Sequence, residues 1–187
     1  PFSLESAGIA DQPPVSAGQQ GRLDLRAPLS SVIGAETAAR LRQGGYDPEA
    51  ITVDQLMRHT SGLRDPSFSD LFLDPMKADP GRAWTRAEQI AIAMRLGPPL
   101  GPPGAAFVYS DTGYVILGEV VERAFGAALA TAVPALLRFE TLGLEAVWDH
   151  AGRAPGGLER QYLGEHESTS WHASFDLFGG GGLVADL

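Results

Sequence analysis

Along most of this chain the apolar positions recur at helical rather than strand spacing. Residues 35–43 (AETAARLRQ) predict a short helix that Gly44-Gly45 ends. In ITVDQLMRHTSGL (51–63), Thr52 stands before a helix and Gln55 follows three residues later, the pattern of a capping box. Val53, Leu56 and Met57 then share one face, and Gly62 predicts the stop. A second capping box, Thr85 with Glu88, opens a helix carrying Ile90, Ile92, Met94 and Leu96 and ending at Gly97. The clearest amphipathic pattern covers 112–125, where Val115, Ile116, Leu117, Val120, Val121 and Phe125 stand against Glu119, Glu122 and Arg123. Residues 127–140 predict a further helix with a break or kink at Pro134, and Leu142-Gly143-Leu144 a turn.

Between these helices the pattern fades. Residues 63–84 hold three prolines and predict a long surface loop. Pro98, Pro99, Pro102 and Pro103 form a stiff connector leading to a short apolar run, Ala105 to Tyr109. Residues 1–34 show little helical periodicity, 150–170 are polar and loop-like, and a run of four glycines, Gly179 to Gly182, precedes Leu183-Val184. The pattern describes a mainly helical domain with long loops and no internal repeat.

Composition narrows the function classes. With 187 residues and 44% hydrophobic residues the chain can bury a core of its own. It has no cysteine, which excludes disulfides and thiolate metal sites. Fourteen basic residues against 23 acidic ones give a net charge of −9, and the arginines are scattered, so the basic patch of a nucleic-acid binder is absent. No run approaches the ~18 apolar residues of a membrane span. Neither Pro1-Phe2 nor Val184-Ala185-Asp186-Leu187 reads as a natural chain end, and both ends are expected to be internal to a longer protein.

Three segments in order carry a resemblance. ITVDQLMRHTSGL resembles a helix ending in His-Thr-Ser-Gly-Leu, and PGAAFVYSDTGYVILGEVVERAFG (103–126) resembles a segment bearing a Tyr-x-Asn motif. GGGGLVADL (179–187) resembles a Gly-Gly-Leu stretch that precedes another helix. Thr141-Leu142-Gly143-Leu144 is similar to a Pro-Leu-Gly-Met turn. Together they resemble the beta-lactamase and penicillin-binding protein family of serine hydrolases, over roughly residues 21–187. The resemblance implies an α+β serine beta-lactamase-like fold, represented here mainly by its α-helical lobe with long loops. Residues 1–187 would be one partial domain, with 1–20 a divergent nucleophile region and the antiparallel sheet portion of the fold largely missing.

In this family a serine attacks a carbonyl carbon, and the hydroxyl needs a nearby base. The resemblance places Ser6 at the nucleophile position, Tyr109 as general base or proton shuttle, and Asp111 where the motif carries Asn. A phenol of intrinsic pKa ~10 needs positive charge beside it to act as a base. An ionised carboxylate at 111 can accept hydrogen bonds but cannot donate the amide N–H that Asn would offer a substrate. The lysine expected one turn after the serine is replaced by Ile9, and the only lysine, Lys77, has no serine three residues before it. Pro13-Pro14 and Gly18 stand where the family has an amphipathic helix, through divergence or a reading-frame error.

The remaining signals read as local structure. His59 and Ser61 lie at a helix end and do not face each other as a catalytic pair. His166-Glu167 lacks the second histidine of a zinc helix, since residue 170 is Ser170. Asp111 also suits the cap of the 112–125 helix, and the glycine run suits a turn. No metal or cofactor is implied. The expected partner is a small-molecule or peptide acyl substrate: a beta-lactam, a D-alanyl peptide or an ester. The family resemblance alone suggests a periplasmic or secreted location. Two readings stand beside impaired hydrolysis: a non-catalytic ligand-binding module, or an inactive gene fragment.

Overall fold

The computed structural model describes residues 23–143, 146–148 and 160–185. Its element order is α1 Leu29–Val32, α2 Ala35–Gln43, α3 Val53–Met57, α4 Asp70–Ala78, α5 Arg86–Arg95, α6 Asp111–Phe125, α7 Leu129–Leu137 and α8 Phe139–Leu142, followed by short strands. Strand β1 (Ala146–Trp148) pairs antiparallel with β4 (Leu183–Ala185), and β2 (Tyr162–Leu163) with β3 (His166–Glu167). The architecture is therefore a helical lobe with two fragments of antiparallel sheet.

Both capping boxes form. Thr52 accepts from the Gln55 N–H and Gln55 returns a bond to the Thr52 N–H, and Thr85 and Glu88 do the same for α5. Helix α6 is the centre of the lobe and packs against α3, α5 and α7. Its apolar stripe is fully committed to the core: Ile116 and Val120 are buried with Leu56, Ile90, Leu129 and Val133. Gly126, at φ 73°, ends the helix in the left-handed conformation that glycine adopts without a Cβ penalty. Its polar face ties elements together. Glu119 accepts from the Gly34 N–H (2.6 Å) and the Thr37 hydroxyl (2.6 Å) at the start of α2. Glu122 receives the Leu129 N–H (3.1 Å) at the start of α7 and pairs with Arg86 of α5 at 2.8 Å. Among the described residues no single helix is long and apolar enough to cross a membrane.

Four segments differ from the sequence expectation. The stretch 63–84 is not all loop, because α4 forms within it with Pro75 inside. Phe72 and Met76, one turn apart, bury themselves with Trp84, Ile92 and Trp171 in a second apolar cluster that outweighs the proline's lost hydrogen bond. Helix α3 ends at Met57, well before Gly62, because His59 takes a left-handed φ of 53° and sends the chain back across the core. The break in 127–140 falls at Arg138 (φ 59°) rather than at Pro134, which α7 absorbs. The polar stretch after 160 contains the β2–β3 hairpin, whose tight turn carries Gly164 at φ 62°.

Candidate active-site cleft

The cleft is built by two segments that run alongside each other before α6. Backbone bonds join the Leu100 N–H to the Gly62 carbonyl (3.0 Å), Gly104 to Thr60 (2.7 Å) and Val108 to His59 (2.8 Å). The hydroxyls of Ser110 and Thr112 both donate to the Arg64 carbonyl, at 3.2 and 2.8 Å. These bonds fix the residue that stands two places before α6, where a side chain projects from a rigid base. That residue is Tyr109, 38% exposed at the rim.

His59 holds the tyrosine. Its buried ring lies 4.6 Å from the Tyr109 ring and 4.9 Å from that of Tyr114, and Nδ1 accepts the Ser110 N–H at 3.2 Å. The left-handed backbone at 59 turns this side chain inward. His59 is thus a positioning residue, and the fused pattern His-Thr-Ser-Gly is structural here.

Tyr109 and Asp111 meet directly: the phenol donates to Asp111 Oδ1 at 2.6 Å. Asp111 is the first residue of α6, and the cap position before it belongs to Ser110. The other carboxylate oxygen, Oδ2, receives the Ser67 hydroxyl at 2.6 Å. Ser67 also lies 2.7 Å from Asp65 Oδ1, which accepts its N–H as well (3.1 Å). A hydroxyl has one hydrogen to give. Both of its carboxylate contacts are hydrogen bonds only if one carboxyl holds a proton. Burial raises the Asp65 carboxyl above its ordinary value, and the Asp111 charge adds to the rise against the hydrogen bonds from Ser67.

A third carboxylate comes from the far side. Asp176 follows the 3-10 turn Ala173–Phe175 and faces a cavity of about 30 Å³ shared with Ser67, Gln89, Asp111 and Gly180. Burial, then the nearby Asp111 charge, pushes its carboxyl up to about 7. The glycine run makes this approach feasible. A Cβ on Gly118 of α6 would fall on the Phe178 carbonyl, one on Gly179 on the Tyr114 carbonyl, and one on Gly181 on Asp176 itself. Glycine at these positions lets residues 178–181 lie flat on α6 beside Asp111.

Tyr109 and Asp111, expected in the site from sequence, are therefore adjacent, with the glycine run beside them. Ser6 and Ile9 lie outside the described residues. Sequence reasoning missed Asp65, Ser67, Asp176 and the positioning role of His59. Asp65-Pro66-Ser67 carries a turn signal in which an Asp side chain binds the N–H two residues on. Asp176 has no local signal, because its partner is 65 positions earlier.

Known proteins resemble this chain in sequence and in fold. A family model described as Beta-lactamase matches residues 17–157. A D-stereospecific amidohydrolase from Streptomyces sp. superposes with a TM-score of 0.78 at 25% identity, covering 95% of this chain and 55% of that one. The octameric penicillin-binding protein homologue from Pyrococcus abyssi gives 0.68 at 22% identity, covering 96% and 40%. The D-amino acid amidase from Ochrobactrum anthropi SV3 gives 0.66 at 21%, covering 94% and 50%. The chain thus spans about half the length of the structures it matches.

Proposed function

The chain belongs to the Beta-lactamase family, and on that premise we propose that it carries the acyl-substrate cleft of a serine hydrolase, with turnover impaired. The ligands are of the class such hydrolases attack: a beta-lactam, a D-alanyl peptide, or another amide or ester. The likeness to the Streptomyces amidohydrolase supports an amide-type acyl ligand. In this reading Ser6 stands at the nucleophile position, Tyr109 at the proton-transfer position, and Asp111 beside it.

One observation carries the impairment: the Tyr109 hydroxyl donates to a carboxylate. A donating phenol carries its proton, and a neighbouring negative charge opposes its removal. A base in acyl transfer needs the opposite environment. Ile9, where the resemblance expects lysine, supplies neither a proton acceptor nor a positive charge. Loss of a general base typically costs ~10²–10⁴ in rate. The cleft would then hold an acyl ligand without efficient chemistry, the behaviour of a binding module derived from an enzyme.

The test combines fluorescent penicillin binding with intact mass spectrometry. The reading expects reversible binding by fluorescence polarisation, weakened in Tyr109→Ala, with no stable mass adduct and negligible turnover of nitrocefin or nitrophenyl esters. An adduct and turnover near those of an intact relative, both abolished by Ser6→Ala, would overturn the impairment. Absence of any binding would overturn the cleft.

A further inference from the structure

Four side chains at the cleft rim form one continuous chain of contacts. The Tyr109 hydroxyl lies 2.6 Å from Asp111 Oδ1, Asp111 Oδ2 lies 2.6 Å from the Ser67 hydroxyl, and that hydroxyl lies 2.7 Å from Asp65 Oδ1. Three hydrogen bonds need three hydrogens, and the two hydroxyls supply two. The third is a carboxyl proton. Asp111 is the first residue of α6, where aligned backbone N–H groups favour negative charge, and each of its oxygens already takes a hydroxyl hydrogen. The acceptor left to fill is the Ser67 oxygen, which Asp65 Oδ1 faces. Burial raises the Asp65 carboxyl above its ordinary 3.8; the Asp111 charge adds to the rise, and hydrogen bonds from Ser67 and the Asp111 backbone oppose it.

We propose that Asp65 is a positioning residue for Tyr109: it supplies the hydrogen that completes this chain, and through Ser67 and Asp111 it latches the loop after Arg64 to the start of α6 until rising pH removes that hydrogen. Below the Asp65 midpoint its O–H donates to Ser67, Ser67 donates to Asp111, and all three bonds hold. Above it, one serine hydrogen faces two ionised carboxylates. Ser67 stays with Asp65, whose oxygen also holds its N–H at 3.1 Å, and Asp111 keeps the phenol alone. The two carboxylates then repel across the serine. The released loop carries Phe68, 81% exposed, which lines the cleft mouth with Leu100, Val108 and Tyr109 around a hollow of about 430 Å³. The other charged or titratable groups around the chain are Asp176, across the small cavity from Asp111, His59, which stacks on Tyr109, and Arg64, whose Nε donates to the Pro98 carbonyl at 2.8 Å. Asp176 is the rival seat for the proton.

The inference rests on the proposed function only in taking Tyr109 as a cleft residue, and its first test needs no ligand. Carbon-13 NMR of the full chain would follow the Asp65 carboxyl and the Tyr109 Cζ from pH 3 to pH 9. The expected result is an Asp65 midpoint above 3.8, with the Tyr109 signal moving at the same midpoint. In Asp65→Asn the side-chain amide donates to Ser67 at every pH, so the Tyr109 signal should hold its low-pH value throughout. Ser67→Ala should uncouple the two signals, and Ser67→Thr, which keeps the hydroxyl, should restore the coupling. A Tyr109 signal indifferent to the Asp65 titration in the unmodified chain overturns the latch, and this readout does not depend on any variant folding. So does a transition that survives Asp65→Asn and disappears in Asp176→Asn, because the proton would then sit on the other side of Asp111. Fluorescence polarisation with a fluorescent penicillin at pH 5 and pH 8 adds the cleft. Binding should weaken about fivefold at pH 8, the scale of one added charge a few ångströms from an anionic ligand in water, and should lose its pH dependence in Asp65→Asn. Equal binding at both pH values overturns the link from latch to cleft, whereas no binding at either pH overturns the cleft and leaves the NMR result to decide the latch.

Discussion

Neutralising Asp176 should make the protein more stable, and only above a defined pH. The Asp176 carboxyl is pushed from an ordinary 3.8 up to about 7, by burial first and by the Asp111 charge second. Below about 4 the group is protonated in both the folded and the unfolded chain and is indifferent to folding. Between the two values the folded state keeps its proton while the unfolded state has released it, so stability falls as pH rises through this window. Above about 7 both states are ionised, and the folded state bears the full cost of a charge that desolvation and Asp111 oppose. At about 1.4 kcal/mol for each tenfold change in acidity, the accumulated penalty reaches at most about 4 kcal/mol. Asp176→Asn removes it. Urea denaturation at pH 4.5 and pH 8 should show little difference between the two proteins at the lower pH and a gain of several kcal/mol for the variant at the higher. Asp111→Asn should show part of the same gain, since it removes the second cause. Equal stabilisation by Asp176→Asn at both pH values would refute the reasoning, because a packing effect would not follow the titration.

Other consequences follow from the helices that frame the cleft. Gly118→Ala places a methyl on the Phe178 carbonyl, where backbone meets backbone, and should cost about 1–3 kcal/mol; faster amide exchange at 178–182 would show that the glycine run has lifted from α6. Ile116→Ala empties a fully buried position at the centre of the core and should cost about 2–5 kcal/mol in chemical denaturation. Thr85→Ala removes the cap of α5 and should cost about 1 kcal/mol, with a lower thermal midpoint and no change in ligand binding.

The sequence by itself determined the helices whose information is local. Thr52 with Gln55 and Thr85 with Glu88 satisfy orphan N–H groups within four residues of themselves, and α2 appears at the bounds its pattern predicts. The α6 stripe from Val115 to Phe125 needs only the 3.6-residue repeat to be read, and the Tyr109-Ser110-Asp111 motif lies next to it. Tertiary structure decided what depends on distant partners. Pro75 argues locally against α4, yet Phe72 and Met76 gain a cluster with Trp84, Ile92 and Trp171 that no local window contains. His59 accepts a left-handed backbone because Tyr109 and Tyr114 stack on its ring. The acidic cavity is the extreme case. Asp111 and Asp176 stand 65 positions apart, the second in irregular structure, where side-chain direction follows no period. Only the close approach of residues 178–181 to α6, through Gly118 and Gly179, brings their charges to one place.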